Sequence, residues 1–127
     1  MFQPKLLIVE DEFILANDLA SELASLGAQI VGFAPTADKA LQLASSGRLR
    51  IDAAVLDIGL RGQVAYPAVR ALLKRGVAVV FCTGIDRKDI PDEFHLIPCV
   101  DKPARPPEVM LALRREMQRT VGTAQHA

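Results

Sequence analysis

Long apolar runs are missing from this sequence. No stretch approaches the ~18 consecutive apolar residues that a membrane-spanning helix requires, so no membrane partner is expected. A surplus of charge is missing too. Lys+Arg number 15 and Asp+Glu number 15, a formal net charge of +0 at pH 7. That balance implies neither a nucleic-acid footprint nor an acidic tail, and no DNA partner is expected. Cysteine is scarce. Cys82 and Cys99 both lie in apolar, strand-like segments and read as buried free thiols of a reducing, cytoplasmic protein. A redox pair would need neighbouring strands with both side chains pointing the same way. His95 and His126 lack ligand-like spacing, so neither is a metal candidate. Repeats, low-complexity tracts and linkers are also missing.

What remains is an α/β pattern. Half of the residues are hydrophobic, 50%, in a chain of 127, which suits one domain with a real core and no room for a second. Order is expected over about residues 4–120, with a frayed tail after Thr120. The N-terminal MFQPKLLIVED carries one Lys and a short apolar run ending in acids, the mark of a first strand and not of a signal peptide. Strands are expected at Lys5–Val9, Ala28–Ala34, Ala53–Leu56, Val77–Cys82 and Leu96–Val100, with Pro98 placing the last at an edge.

Helices are expected between them. The first has Leu15, Leu19, Leu23 and Leu26 on one face and is stopped by Gly27. The second starts at Pro35-Thr36 with Ala40, Leu41 and Ala44 inward. The third has Pro67 in its first turn and Val69, Leu72 and Leu73 as its stripe, and Gly76 ends it. The last starts at Pro106-Pro107-Glu108 with a stripe of Met110, Leu113, Met117 and Val121. Ile85–Phe94, polar and interrupted by Pro91, has room for a short helix at most. Strands alternating with helices imply a parallel sheet covered on both faces.

The strand ends carry the chemistry. The first ends in Glu10-Asp11, the third in Asp57, the fourth in Thr83 and the fifth in Lys102-Pro103. Ligands of open α/β sheets bind just beyond the carboxyl ends of strands. If the first and third strands are neighbours, three carboxylates crowd one rim. Two such charges ~4–5 Å apart repel by roughly 3–4 kcal/mol at an effective dielectric of ~20, so the cluster needs a cation. Hard oxygen ligands with positions left for water and a phosphoryl oxygen suit Mg²⁺. A carboxylate can attack phosphorus to give an acyl phosphate, and a Thr hydroxyl and a Lys ammonium can bind its oxygens. The plainer alternatives are a strand-end Asp57 that caps a turn, Glu10, Asp11 and Glu12 capping the first helix, and a Thr83 that satisfies a turn.

LLIVEDE, AVLDIGL, VVFCTG and VDKP together resemble the response-regulator receiver domain of bacterial two-component signalling, over about Lys5 to Arg119. The resemblance implies a flavodoxin-like, doubly wound, five-stranded parallel sheet in the order 2-1-3-4-5. It implies that Asp57 accepts a phosphoryl group from a sensor histidine kinase or a histidine phosphotransfer protein. Asp11, Asp57 and the main-chain carbonyl of Gly59 would bind Mg²⁺ directly, and Glu10 mainly through metal-bound water. Thr83 and Lys102 would bind the phosphoryl oxygens, with a cis peptide between Lys102 and Pro103. The chain would be a signalling phosphoacceptor and not an enzyme, acting in trans on an unidentified downstream protein.

Two departures stand out. Cys99 takes the place of the aromatic that most receivers carry three residues before the Lys. FCTG followed by Ile85 resembles a receiver subgroup marked by Phe-Ala-Thr-Gly and an aromatic, whose members tend to lack a regular fourth helix. Ile85–Phe94 is therefore the segment expected to change on phosphorylation.

Arg61 is near enough to reach a phosphate, but loop arginines are usually solvated. Arg105, Arg114, Arg115 and Arg119 form a basic side of the last helix, read as a solvated face or a dock for an acidic partner. Two other functions stay open: a binding module that keeps the fold without phosphorylation, and a phosphohydrolase with an aspartyl nucleophile. The latter usually carries a second Asp two residues on, where this chain has Gly59.

Overall fold

Lys5–Val9 (β1), Gln29–Ala34 (β2), Ala53–Leu56 (β3), Ala78–Thr83 (β4) and Cys99–Asp101 (β5) form one parallel sheet in the order β2-β1-β3-β4-β5. The computed structural model describes residues 2–60 and 63–126, with the backbone alone for 63, 64 and 121–126. The helices are Phe13–Ser25 (α1), Ala37–Ser45 (α2), Tyr66–Lys74 (α3) and Pro106–His126 (α4). The flavodoxin-like order and the irregular fourth unit both stand: two 3-10 turns, Arg87–Asp89 and Asp92–Phe94, occupy the place of a fourth helix.

The strands read as unbroken apolar runs because both faces of the sheet are covered. Leu7, Val9, Ala54, Leu56, Val79 and Phe81 face α2 and α3, while Leu6, Ile8, Ala53, Val55, Val80 and Cys82 face α1 and α4. This period-2 alternation settles the cysteines. Phe81 pairs with Cys99 and Cys82 with Val100, so the two thiols lie on adjacent strands but on opposite faces. They are free, and the redox pair is excluded.

The helices turn differently from the leucine pattern. α1 buries Ala16, Ala20 and Leu23, α2 buries Ala40 and Ala44, and α3 buries Ala68, Val69 and Leu72. Leu15, Leu26, Leu41 and Leu73 are exposed, against expectation. Alanines supply much of the buried row of α1 and all of that of α2, and the leucines beside it are left on the flank. α4 buries Val109, Met110 and Leu113, with Met117 partly buried; Val121 and His126 lie outside the described side chains, as does most of the tail expected to fray. β5 is shorter than Leu96–Val100. Pro98 has no N–H to donate, although its carbonyl accepts from Phe81 N at 2.9 Å, and Ile97 N turns back to Phe94 O. After β3 the chain forms a small antiparallel hairpin, Gly59–Leu60 with Gln63–Val64, that sequence patterning did not anticipate.

Among the described residues no helix is long and apolar enough to cross a membrane.

Candidate functional site

Register brings the polar strand ends together. Val9 pairs with Leu56 and Leu56 with Phe81, while Thr83 pairs with Asp101. The residues that follow Val9, Leu56 and Asp101 are Glu10, Asp57 and Lys102, so parallel pairing alone sets them on one rim. Asp57 N donates to Val9 O at 2.8 Å, and Lys102 N to Thr83 O at 3.3 Å. The rim lies where the chain reverses its winding, between β1 and β3, the usual ligand crevice of such sheets.

Lys102 Nζ donates to Asp57 Oδ2 at 2.6 Å and to Glu10 Oε2 at 2.9 Å. Thr83 Oγ1 donates to Asp57 Oδ1 at 3.3 Å, and Gly59 N donates to the same oxygen at 3.1 Å. Glu10, Asp11 and Asp57 each offer a carboxylate oxygen, all within 4.8 Å of one another. The five sequence-predicted side chains, Glu10, Asp11, Asp57, Thr83 and Lys102, are thus gathered in one place, with Gly59 beside them. Glu12 is exposed, and its side chain makes no capping bond to α1. The turn-capping alternative for Asp57 is present as well, since the Oδ1–Gly59 N bond is an Asx turn. One carboxylate shapes the turn and faces the rim at once.

Two features were not foreseen. Lys102 holds Glu10 as well as Asp57. Ile85 packs so close that a methyl added to Gly59 would lie 3.3 Å from its Cδ1. Arg61 lies outside the described residues. The basic side of α4 is partly tied up: Arg119 pairs with the buried Glu116, and Arg114 donates to Leu26 O at 3.3 Å. His95 is exposed, with Nδ1 against Asp92 O.

Burial pushes the Glu10 carboxyl up, and the hydrogen bond and charge of Lys102 offset only part of this. Burial also disfavours the Lys102 ammonium, but its bonds to Asp57 and Glu10 outweigh that and hold it charged, its pKa well above the ordinary lysine range. The two shifts have different origins, burial for Glu10 and the paired carboxylates for Lys102, on a rim with more carboxylates than ammoniums. Such a rim attracts protons and other cations. One carboxylate oxygen from each of three acids within 4.8 Å of the others is a set of hard donors that can draw in around a single Mg²⁺ ion.

No family model and no curated protein matches the sequence. Solved structures do. A response regulator receiver protein from Sinorhizobium medicae superposes with a TM-score of 0.76, covering 93% of this chain and 97% of that one at 21% identity. The PhyR response regulator REC domain of Erythrobacter litoralis gives 0.75 over 91% and 90% at 25% identity. SdrG from Sphingomonas melonis is 34% identical, covering 91% of this chain and 97% of that one, with a TM-score of 0.74. The chain belongs to the response-regulator receiver family. In this receiver the Lys102-Pro103 peptide is cis, and Cys99 sits in register with Phe81.

Proposed function

We propose that residues 1–127 act as one receiver domain in which Asp57 accepts a phosphoryl group from the phosphohistidine of a sensor histidine kinase or phosphotransfer protein. The observation that carries this is the grip on Asp57: Lys102 on Oδ2, Thr83 and Gly59 N on Oδ1, with Glu10 and Asp11 alongside. A carboxylate oxygen of Asp57 forms a bond to phosphorus as the P–N bond to the donor imidazole breaks. The electron pair stays on the ring nitrogen, which then takes a proton from water.

The chain's own groups prepare that step. Gly59 N and Thr83 fix the plane of the carboxylate. Lys102 follows the negative charge as it spreads onto the phosphoryl oxygens, a charge-assisted contact of the strong kind. Glu10, Asp11, Asp57 and the Gly59 carbonyl are the residues that would hold Mg²⁺, which when bound would neutralise charge on the transferred oxygens. Beside the rim, a groove of about 380 Å³ is walled by Leu15, Leu19, Cys82, Pro103 and Ala104, and Phe13 and Ile14 are exposed at the start of α1. This apolar footing next to Lys102 suits a docked phosphodonor protein.

The test is incubation with acetyl phosphate and Mg²⁺ followed by intact mass. A phosphoryl adduct is expected in the wild type, and none in Asp57→Asn or with the Mg²⁺ chelated. An adduct that persists in Asp57→Asn refutes the assignment.

A further inference from the structure

The segment between β4 and β5 is fastened at two ends. At the rim, Ile85 N donates to Thr83 Oγ1 at 3.2 Å, and the same hydroxyl donates to Asp57 Oδ1. At the far end, Phe94 is buried, stacked on Tyr66 with ring centroids 5.2 Å apart and edge-on to Phe81 at 6.3 Å. Arg70 of α3 lies over the Phe94 ring at 5.5 Å. Its guanidinium also closes on Glu93 through two hydrogen bonds, Nε to Oε2 at 3.2 Å and Nη2 to Oε1. In between, Arg87 donates to His95 O at 2.8 Å, tying the two 3-10 turns into one body.

We propose that the Arg70–Glu93 clasp over Phe94 is the point of release through which a phosphoryl group on Asp57 repositions residues 84–98. The inference rests on the phosphoacceptor reading above. A phosphoryl group adds about −1.5 to −2 charges and several acceptor oxygens beside Thr83. The hydroxyl has one proton to give. When that proton turns to the phosphoryl group, the lone pair that Ile85 N–H was using turns with it. Ile85 already fills the space against the Asp57–Gly59 turn, so the end at 84–86 moves with Thr83 and the tied body 87–95 carries the displacement onward.

The fastenings differ in strength. Ile90, Phe94 and Ile97 are buried in the core. The Arg70 and Glu93 side chains are 51% and 49% exposed. An exposed ion pair is weak in water, so it yields first. With Cys99 on β5, the moving segment brings its own ring to this face, Phe94, beside Phe81 and Tyr66. Linkage runs both ways: whatever loosens the clasp favours the phosphoryl-bound state by the same factor.

Glu93→Gln removes the charge and keeps the shape. Amide hydrogen exchange across residues 85–97 is expected to quicken in this variant without any phosphoryl mimic. Its beryllofluoride titration midpoint, in excess Mg²⁺, should fall about two- to five-fold, the range one exposed pair supports. Phe94→Leu, which keeps the site apolar but removes the ring, should move both readouts further in the same direction. In Asp57→Asn/Glu93→Gln the faster exchange should persist while the beryllofluoride response disappears. Unchanged exchange and midpoint in Glu93→Gln, with beryllofluoride still bound by the wild type, overturn the clasp alone. A wild type that takes neither beryllofluoride nor a phosphoryl group overturns the phosphoacceptor reading, and the clasp with it.

Discussion

Replacing Lys102 by Met removes the cation that touches two carboxylates of the acidic rim. At 2.6 Å to Asp57 and 2.9 Å to Glu10, with an effective dielectric of ~20, each contact is worth about 6 kcal/mol before desolvation. Desolvation returns most of that, because the Glu10 and Asp57 side chains are only 8% and 12% exposed. The variant keeps this desolvation and loses its compensation, while carboxylates within 4.8 Å of one another repel by about 3.5 kcal/mol per pair on the same scale. Lys102 is itself 29% exposed, so water screens part of the loss. The expected destabilisation is about 2–4 kcal/mol near neutral pH without metal, below the upper end for a fully buried pair. Urea denaturation of both proteins, with and without excess Mg²⁺, checks it. Mg²⁺ should stabilise Lys102→Met more than the wild type, because the ion supplies positive charge where the ammonium was. The variant should also accumulate less phosphoryl adduct from acetyl phosphate. A Lys102→Met protein as stable as wild type without metal, with no larger response to Mg²⁺, would refute the electrostatic account of the rim.

Other expectations follow from single features. Gly27 has φ +104°, so Gly27→Ala should cost about 1–2 kcal/mol, whereas Gly47→Ala, with open space around it, should stay within about 0.5 kcal/mol; paired urea melts compare them. The Arg70 hydrogen bond holds the Glu93 carboxyl below its ordinary value of 4.5. A depressed folded pKa gives stability that is present above the unfolded value and lost as pH falls through the folded one. The clasp is therefore intact at neutral pH and loosens only in acid; a carboxyl carbon NMR titration should show the Glu93 midpoint rising toward 4.5 in Arg70→Met. Burial pushes both thiols up, so iodoacetamide should label Cys82 and Cys99 far more slowly in the folded chain than in urea. A Cys82–Cys99 disulfide formed in the native protein would contradict their placement on opposite sheet faces.

Much of this receiver is written locally. Five apolar runs, each followed by a polar end, are enough to announce a covered parallel sheet, because strands buried on both faces must be apolar throughout. The acids after Val9, the Asp after Leu56 and the Lys before Pro103 mark the rim for the same reason: a charge cannot stay inside the sheet, so it collects where the strand leaves it. Helix faces are less legible. Leucine and alanine both satisfy an apolar period, and only docking against the sheet selects Ala16, Ala20 and Leu23 over Leu15 and Leu26.

Residue order along the chain determined the alternation of strands and helices and the identity of the charged groups at the strand ends. Tertiary structure alone decided the rest, since these are contacts between residues far apart in sequence. The bridge from Lys102 to Glu10 spans 92 residues, and the clasp from Arg70 to Glu93 spans 23. The opposite facing of the two thiols depends on pairing β5 with β4. Local propensity acts over a few residues, whereas an ion pair or a strand register exists only once separate segments have been packed side by side.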